Sequence, residues 1–523
     1  MSGSDGLPGW WSVVVRDRLE QWAGGAARLR VIVLLASVLG LGTADAATVG
    51  AIAGELERAL DLSNTDVGLL VTASVGVGAI ATLPAGVLAD RVNRSRLLWV
   101  SVLIWALAML ASGLAVSFAM LLVTRLALGV VIATSYPAIA SLTGDLFPAA
   151  ERGRVYGYIL TGELVGSGVG FLISGDVAGA LSWRAGFIWL AAPSLLLAWV
   201  LRRYLPEPAR GGQSQLHEGD TEIRAAEQIG DQGDDQVDDA SGGAGAASSA
   251  EGEVERRVEQ QHVPPHDRLV LRADPTGWPL WRAVRYTLSI RTNLALIAAS
   301  GLGYFFLQGL QTFAVVYLRG RYGLGQSAAS TLLVVLGLGS VAGVLITGRL
   351  SDRLIHRGRI AARVVVAGAS FLVAAGLFVP GLLLDSLPAA APLLFLAAAG
   401  LGGTNPPLNA ARLDLVPSRL WGRAEGVRTA SSTALQAIAP LLFGYLSTLF
   451  GGPNRGLAAT SATRAGGDAG LLPTFLIMLA PLLLAGAILL RARRSYPRDV
   501  ATAVTSEHAI TRAQTGLSTR APS

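Results

Sequence analysis

The sequence predicts an all-α membrane protein: twelve transmembrane helices in two pseudo-symmetric six-helix bundles. Three observations predict it. Of 523 residues, 52% are hydrophobic and only 15% charged, with a mean hydropathy of +0.50, whereas soluble domains carry about 25% charged residues. Twelve apolar runs are long enough, or nearly so, for the ~20 helical residues that cross a bilayer core. The second six of these runs repeat the loop chemistry of the first six.

The spans run, in order, over residues 29–53, 66–89, 97–117, 119–144, 154–176 and 183–204, then 293–318, 327–350, 361–384, 389–416, 424–450 and 471–491. Clusters of Pro, Gly, Asn, Asp and Arg punctuate them as turns. Pro84, Pro137, Pro193, Pro406 and Pro440 fall inside spans, where neighbouring helices re-satisfy the freed backbone groups. Residues 1–28 form a cytoplasmic N-terminal segment. Trp10, Trp11 and Trp22 with Arg16 and Arg18 suit either an interfacial amphipathic helix or an unstructured tail. Ala44-Asp45-Ala46 resembles a signal-peptide cleavage site, but the leader carries Asp5, Asp17 and Glu20 and eleven more spans follow, which favours a first span. Residues 206–290 read as a cytoplasmic linker, largely disordered, because Gln213–Ala250 has too little apolar surface to fold. Trp278–Arg291 is expected along the inner face. The bundles then cover 29–205 and 291–492, and 493–523 is a cytoplasmic tail.

Every basic residue other than the five His is Arg, and their placement orients the chain. Six lie in outer loops (Arg58, Arg184, Arg319, Arg321, Arg455 and Arg464), Arg125 lies within a span, and the rest lie inside. Both termini are therefore expected in the cytoplasm of a cell whose inner membrane holds this chain. The same layout, spread over inner loops, argues against nucleic acid as the partner of the +6 net charge. Cysteine is absent and the His are scattered, so neither a disulfide framework nor a metal site is expected. No His-Glu-x-x-His, Gly-x-Ser-x-Gly or nucleotide-binding loop is present, so neither an enzyme nor a cofactor is expected.

The repeat is explicit. Gly86-Val-Leu-Ala-Asp90-Arg91 ends the second span and Gly348-Arg-Leu-Ser-Asp352-Arg353 the eighth. Asp145-Leu-Phe-Pro148 with Gly153-Arg154 matches Asp414-Leu-Val-Pro417 with Gly422-Arg423, 269 positions on (414 − 145), and Pro137 matches Pro406 at the same offset. Duplicated halves of this kind place a solute site near the midplane.

Charges in mid-membrane are costly and usually functional, and three stand out: Asp45, Arg125 and Glu163. At about 1.5 Å per residue, Asp45 and Arg125 lie level, roughly 20 Å above the inner boundary, and Glu163 lies at roughly 14 Å, within reach of a long Arg side chain. They read as a proton-coupling and substrate cluster or as a structural ion pair. In the second half Tyr304, Gln308, Gln311, Tyr317, Asn405, Asn409 and Gln436, with Tyr136 in the first, line a substrate cavity or act as polar glue between helices. Gly166 and Gly170 read as small-x-x-x-small helix packing.

Gly86-Val-Leu-Ala-Asp90-Arg91-Val-Asn-Arg94-Ser-Arg96 and Arg125-Leu-Ala-Leu-Gly129 resemble the inner-loop signature and the span-four motif of the major facilitator superfamily, over about residues 29–205 and 290–492. The first half looks most like its spinster-like group, on Asp45-Ala-Ala-Thr-Val49, Thr134-Ser-Tyr136, Asp145-Leu-Phe147 and Gly166-Ser-Gly168. The resemblance implies a secondary transporter, a monomer working by alternating access, with a small-molecule substrate and protons as its partners within the bilayer. It implies a conformational gate at Gly86, Asp90, Arg91, Arg94, Gly348, Asp352 and Arg353. The group's acidic residue seven positions after the span-four Arg is Ile132 here, which leaves Glu163 for coupling. Proton-coupled export of an amphipathic, lipid-like or drug-like molecule is the leading expectation. Proton-coupled uptake of a small metabolite or organic anion, and a non-transporting membrane receptor, stand as alternatives.

Overall fold

In hydrocarbon an unpaired backbone N–H or C=O costs several kcal/mol, so an apolar chain of this kind folds as helices whose hydrogen bonds are internal. The computed structural model describes residues 20, 23–147, 152–208, 216, 254, 256–417, 420–451 and 470–514. Trp10, Trp11, Trp22, Arg16, Arg18, Gln213–Ala250 apart from Leu216, Pro148, Arg419, Arg455 and Arg464 lie outside the described residues. Gly86, Asp90, Arg152 and Arg154 are placed by their backbone alone.

The first six spans are α1 (Ala26–Leu60), α2 (Asn64–Arg91), α3 (Arg94–Gly113), α4 (Phe118–Leu146), α5 (Arg152–Val169) continued through a π segment (Gly170–Ser174) and α6 (Gly175–Ala180), and α7 (Trp183–Tyr204). A surface helix α8 (Leu280–Ser289) precedes the second six: α9 (Arg291–Tyr322), α10 (Gln326–His356), α11 (Ala362–Leu383), α12 (Leu387–Gly402) with α13 (Asn405–Leu413), α14 (Trp421–Gly451), and α15 (Leu471–Ile477) with α16 (Ala480–Ala492). A last helix, α17 (Tyr496–Gln514), follows. Among the described residues, eleven helices are long and apolar enough to cross a membrane. The fifth span differs because α5 carries Arg152, Arg154 and Glu163 within eighteen residues and passes into π winding at Gly170.

Local chemistry sets the helix ends. Asn93 caps α3 by accepting from the Arg96 N–H at 2.6 Å, Ser117 caps α4 and Ser182 caps α7. Gly323, in the left-handed region at φ +65°, closes α9. The tenth span was expected to run unbroken through Pro406. Instead Pro406 and Pro407, which lack N–H groups and bias the residue before them away from helix, break it at Gly403 and Thr404. The Gly403 carbonyl freed there accepts from Thr347 Oγ1 at 2.7 Å.

The chain divides into two compact units, residues 1–55 with 77–241, and 56–76 with 242–523. The second unit thus takes the end of α1 and the first half of α2 from the first six spans. Its chemistry explains why: Asn64 donates to Ser447 at 2.6 Å, Thr72 accepts from the Leu441 N–H at 3.2 Å, and a Cβ added at Gly68 or Gly444 would fall on the backbone of Pro440 or Asn64. In the first unit α1 and α5 pack through a four-residue ladder of small residues. Gly162, Gly166 and Gly170 each lie directly on the α1 backbone at Ala36, Gly40 and Ala44, leaving no room for a side chain.

Both halves carry the same ion pair where their third span begins and their fourth ends. Arg94, fully buried, pairs with Asp145; Arg363 pairs with Asp414, each partner 269 positions on. The segment leaving the last span of each half adds a group. Glu207 accepts from Arg94 Nε at 2.8 Å, and Tyr496 donates to Asp414. Burial and the neighbouring Asp414 carboxylate hold the Tyr496 phenol well above its usual range, so it acts as a neutral donor. The segment after the last span, expected as a tail, is ordered over residues 493–514 in the second unit. Its α17 ties down the second half of the linker: His266 N–H donates to Thr502 Oγ1 at 2.9 Å and Leu271 N–H to Ser506 Oγ at 3.0 Å.

Candidate functional site

Asp45 and Arg125 come from α1 and α4, and the structure brings them together. Arg125 Nη1 donates to Asp45 Oδ1 at 2.7 Å and Nη2 to Ser112 Oγ at 2.6 Å, while its carbon centre sits 4.8 Å from the Phe187 ring. Arg125 is 1% exposed and Asp45 3%. No solute reaches a guanidinium so enclosed in this conformation. Ser112 and Phe187 complete the site and were not legible, since Ser at a helix end and Phe in an apolar span carry no signal of their own.

Glu163 was expected beside Arg125. It hydrogen-bonds instead to the Tyr136 hydroxyl, at 2.8 Å. The reason is axial: Tyr136 lies 11 residues further along α4 than Arg125 (136 − 125), a drop of about 16 Å. The cluster therefore separates into an enclosed ion pair and a more open carboxylate–phenol pair. Tyr136 is 42% exposed, and among the described residues no guanidinium pairs with Glu163. The Glu163 main chain is held rigidly, its carbonyl accepting from Thr43 Oγ1 at 2.8 Å. About two turns beyond, the π segment begins, and it is pinned by buried Ser174, which bonds Thr48 Oγ1 at 2.6 Å and accepts from Trp189 Nε1 at 2.8 Å. Single π turns recur at functional sites in helices.

In the second unit Tyr304, Gln308 and Gln311 fall at i, i+4 and i+7 on one half-exposed face of α9. Asn405, Asn409 and Arg412 do the same on α13. Tyr304 donates to Asn405 Oδ1 at 3.4 Å, linking the strips, and Arg412 Nη2 donates to Asn409 Oδ1. Gln436 is half-buried on α14 and shares no hydrogen bond with them. Tyr317 is buried and donates to the Leu382 carbonyl at 2.8 Å, so it holds helices together and lines nothing. Arg412 read as an inner-loop charge. Its spacing of three from Asn409 on a continuous helix was the signal for a cation on a polar face.

Of the expected gate residues, Gly86 and Asp90 sit in the last turns of α2 and Arg91 is exposed at its end. Arg94 is not a surface gate charge: it is locked in the ion pair with Asp145 and Glu207. Gly348 faces Pro406, Asp352 lies close enough to Arg363 to act on its charge, and Arg353 is exposed. Among the described residues no cluster of three or more His, Asp or Glu could hold a metal.

A sequence model of the Major Facilitator Superfamily matches residues 34–420. The chain is 30% identical over 149 residues to the hexuronate transporter of Bacillus subtilis (28% of this chain, 35% of that protein). It is 29% identical over 199 residues to the 4-hydroxybenzoate transporter PcaK of Pseudomonas putida (38% and 44%). It thus spans less than half the length of these curated relatives. Among solved structures, the bacterial homologue of the human lysosomal transporter Spinster, inward-facing and unoccupied, superposes with a TM-score of 0.68 at 20% identity, over 90% of this chain and 97% of that one. The nucleoside transporter NupG superposes with a TM-score of 0.59 at 12% identity, over 89% and 98%. At these identities the likeness is one of fold.

Proposed function

The chain belongs to the Major Facilitator Superfamily of membrane transporters, and on that premise we propose that it moves a small organic anion across the membrane in exchange for, or together with, protons. The observation that carries this is the Tyr136–Glu163 pair: an acidic group within a span, half-exposed, facing a neutral donor and no guanidinium. A carboxylate so placed takes up and releases a proton as its surroundings change. Asp45–Arg125 acts as the buried lock that holds α1 and α4 in register. In the second unit the strip of Tyr304, Asn405, Asn409 and Arg412 offers hydrogen bonds and one cation, the chemistry that recognises a carboxylate. The relatives named for hexuronate and 4-hydroxybenzoate fit such a substrate. On this reading the chain lies in the cell's inner membrane with both termini cytoplasmic, which the Arg distribution along the sequence supports.

The test is uptake into proteoliposomes under an imposed pH gradient, with radiolabelled sugar acids and aromatic acids as substrates. We expect Glu163→Gln to lose proton-driven accumulation while retaining solute exchange, and Arg412→Gln to raise KM for carboxylates. Normal gradient-driven accumulation by Glu163→Gln would overturn the coupling role.

A second reading, export of an amphipathic molecule, is favoured by an apolar groove of about 610 Å³ in the first unit, among Val33, Gly40, Val165, Trp189 and Leu196. A lysophospholipid in the same assay distinguishes the two.

A further inference from the structure

We propose that a pocket at the Arg-rich ends of α11 and α16 binds the phosphate of an acidic phospholipid. The pocket, about 400 Å³, is built where three segments of the second unit meet: the turn between α10 and α11, the turn between α16 and α17, and the linker at Gln261. Two guanidinium groups line it, Arg359 and Arg493. Neither has a hydrogen-bonded or ion-paired side-chain partner among the described residues, unlike Arg94, Arg125 and Arg363 elsewhere in the chain. No carboxylate lines the pocket. Two acids of the adjoining elements are already engaged: Asp414 by Arg363 and Tyr496, and Asp499 by the Thr292 N–H and His266.

The fixed wall fits the rest of such a lipid. Leu354, Ile360 and Val365 supply an apolar surface beneath the two cations. The pocket opens where the ninth span begins, at Ala362, and the twelfth ends, at Ala492. The 22 residues of α11, about 33 Å, are just enough to cross a ~30 Å hydrocarbon core, so a pocket at its end sits at the headgroup level of a leaflet. Guanidinium forks bind phosphate oxygens through paired charge-assisted hydrogen bonds, and basic pockets between spans on the Arg-rich side select acidic headgroups. Gln261 is held in place by its bond to the Gly358 carbonyl at 3.4 Å, and Arg257 by the His356 carbonyl at 3.1 Å. The linker therefore forms one edge of the pocket, and an occupied pocket clamps linker, α11 and α17 together.

The experiment uses the full chain in neutral detergent, titrated with cardiolipin, phosphatidylglycerol, phosphatidylcholine or inorganic phosphate. Binding is read by thermal shift of tryptophan fluorescence and by native mass spectrometry. We expect the two acidic lipids to raise the melting temperature and to stay bound in the spectrometer, with phosphatidylcholine and inorganic phosphate doing neither. Arg359→Gln/Arg493→Gln should weaken acidic-lipid binding by about tenfold or more, the loss expected of two charge-assisted contacts. A charge-matched control, Arg357→Gln/Arg494→Gln, should bind as the parent. Equal loss in the control overturns the site in favour of a diffuse charge effect. Displacement of the lipid by millimolar phosphate overturns the lipid as the source. If the double variant does not fold, the single Arg493→Gln in native mass spectrometry decides: unchanged retention of acidic lipid refutes the proposal.

Discussion

Replacing Arg125 by Gln leaves the Asp45 carboxyl, 3% exposed, with no cation beside it. Breaking one side of a buried pair costs about 3–5 kcal/mol, because the surviving charge keeps its desolvation penalty and loses its compensation. The Phe187 ring adds up to about 2 kcal/mol, the value of a desolvated cation–π contact. Asp45→Asn strands the guanidinium in the same way, with Ser112 Oγ as its remaining hydrogen-bond acceptor among the described residues. If the two losses were independent, the double variant would lose about 6–10 kcal/mol. It carries neither charge, however, and two amides can hydrogen-bond, so its cost should be about 1–3 kcal/mol. The cycle should therefore show a coupling of at least about 3 kcal/mol. The measurement is reversible denaturant unfolding in detergent for the parent, both singles and the double. Singles costing under about 1 kcal/mol, or a double as unstable as their sum, would refute the description of this pair as an enclosed lock.

Three other outcomes follow from the packing. Gly166→Leu sets a side chain on the Gly40 backbone, so it should lower stability by about 1–3 kcal/mol or more and separate α1 from α5, measurable by crosslinking cysteine pairs introduced into this cysteine-free chain. Tyr496→Phe removes a donor from a buried carboxylate and should cost about 1.5–3 kcal/mol in unfolding, with Tyr496→Ala costing more. Burial pushes the Tyr286 phenol up to about 12 from 10.0, so the folded state holds its proton more tightly than the unfolded one. Stability from this group is complete below about pH 10 and is lost as pH rises towards 12. Protection factors at residues 266–271, which remove the intrinsic base-catalysed rise in exchange, should fall across that window, and Tyr286→Phe should abolish that fall.

The twelve spans were legible because the bilayer imposes one length and one hydrogen-bonding solution on every apolar run. Boundaries drifted outward, by seven residues at the C-terminal end of α1 (60 − 53) and six at that of α10 (356 − 350), because the helices continue past the hydrocarbon as far as a cap such as Asn93 or Gly323 permits. Glu163 was misplaced for another reason: its depth and that of Arg125 were counted from opposite edges of a ~30 Å core, whereas the 29 residues of α4 run about 43 Å, and Tyr136 shows how far from Arg125 it lies. The Asp45–Arg125 pairing was recoverable because two opposite charges buried at one depth have few alternatives. The Arg363–Asp414 pair is written in the repeat too, since the offset that maps Asp145 onto Asp414 also maps Arg94 onto Arg363. Tyr496, Glu207 and the pocket at Arg359 were not, since they depend on chain segments folding back after the last span of a half, which hydropathy does not record.

The Arg363–Asp414–Tyr496 triangle has a bearing on how this protein is handled. One corner belongs to the chain after the final span, so shortening the polypeptide before residue 496 uncovers the buried Arg363–Asp414 pair and takes away its phenol donor instead of removing an idle tail. A fluorescent fusion or affinity tag joined beyond Gln514 leaves the triangle whole. One that replaces α17 should yield a protein that reaches the membrane poorly and survives extraction badly, whatever it transports.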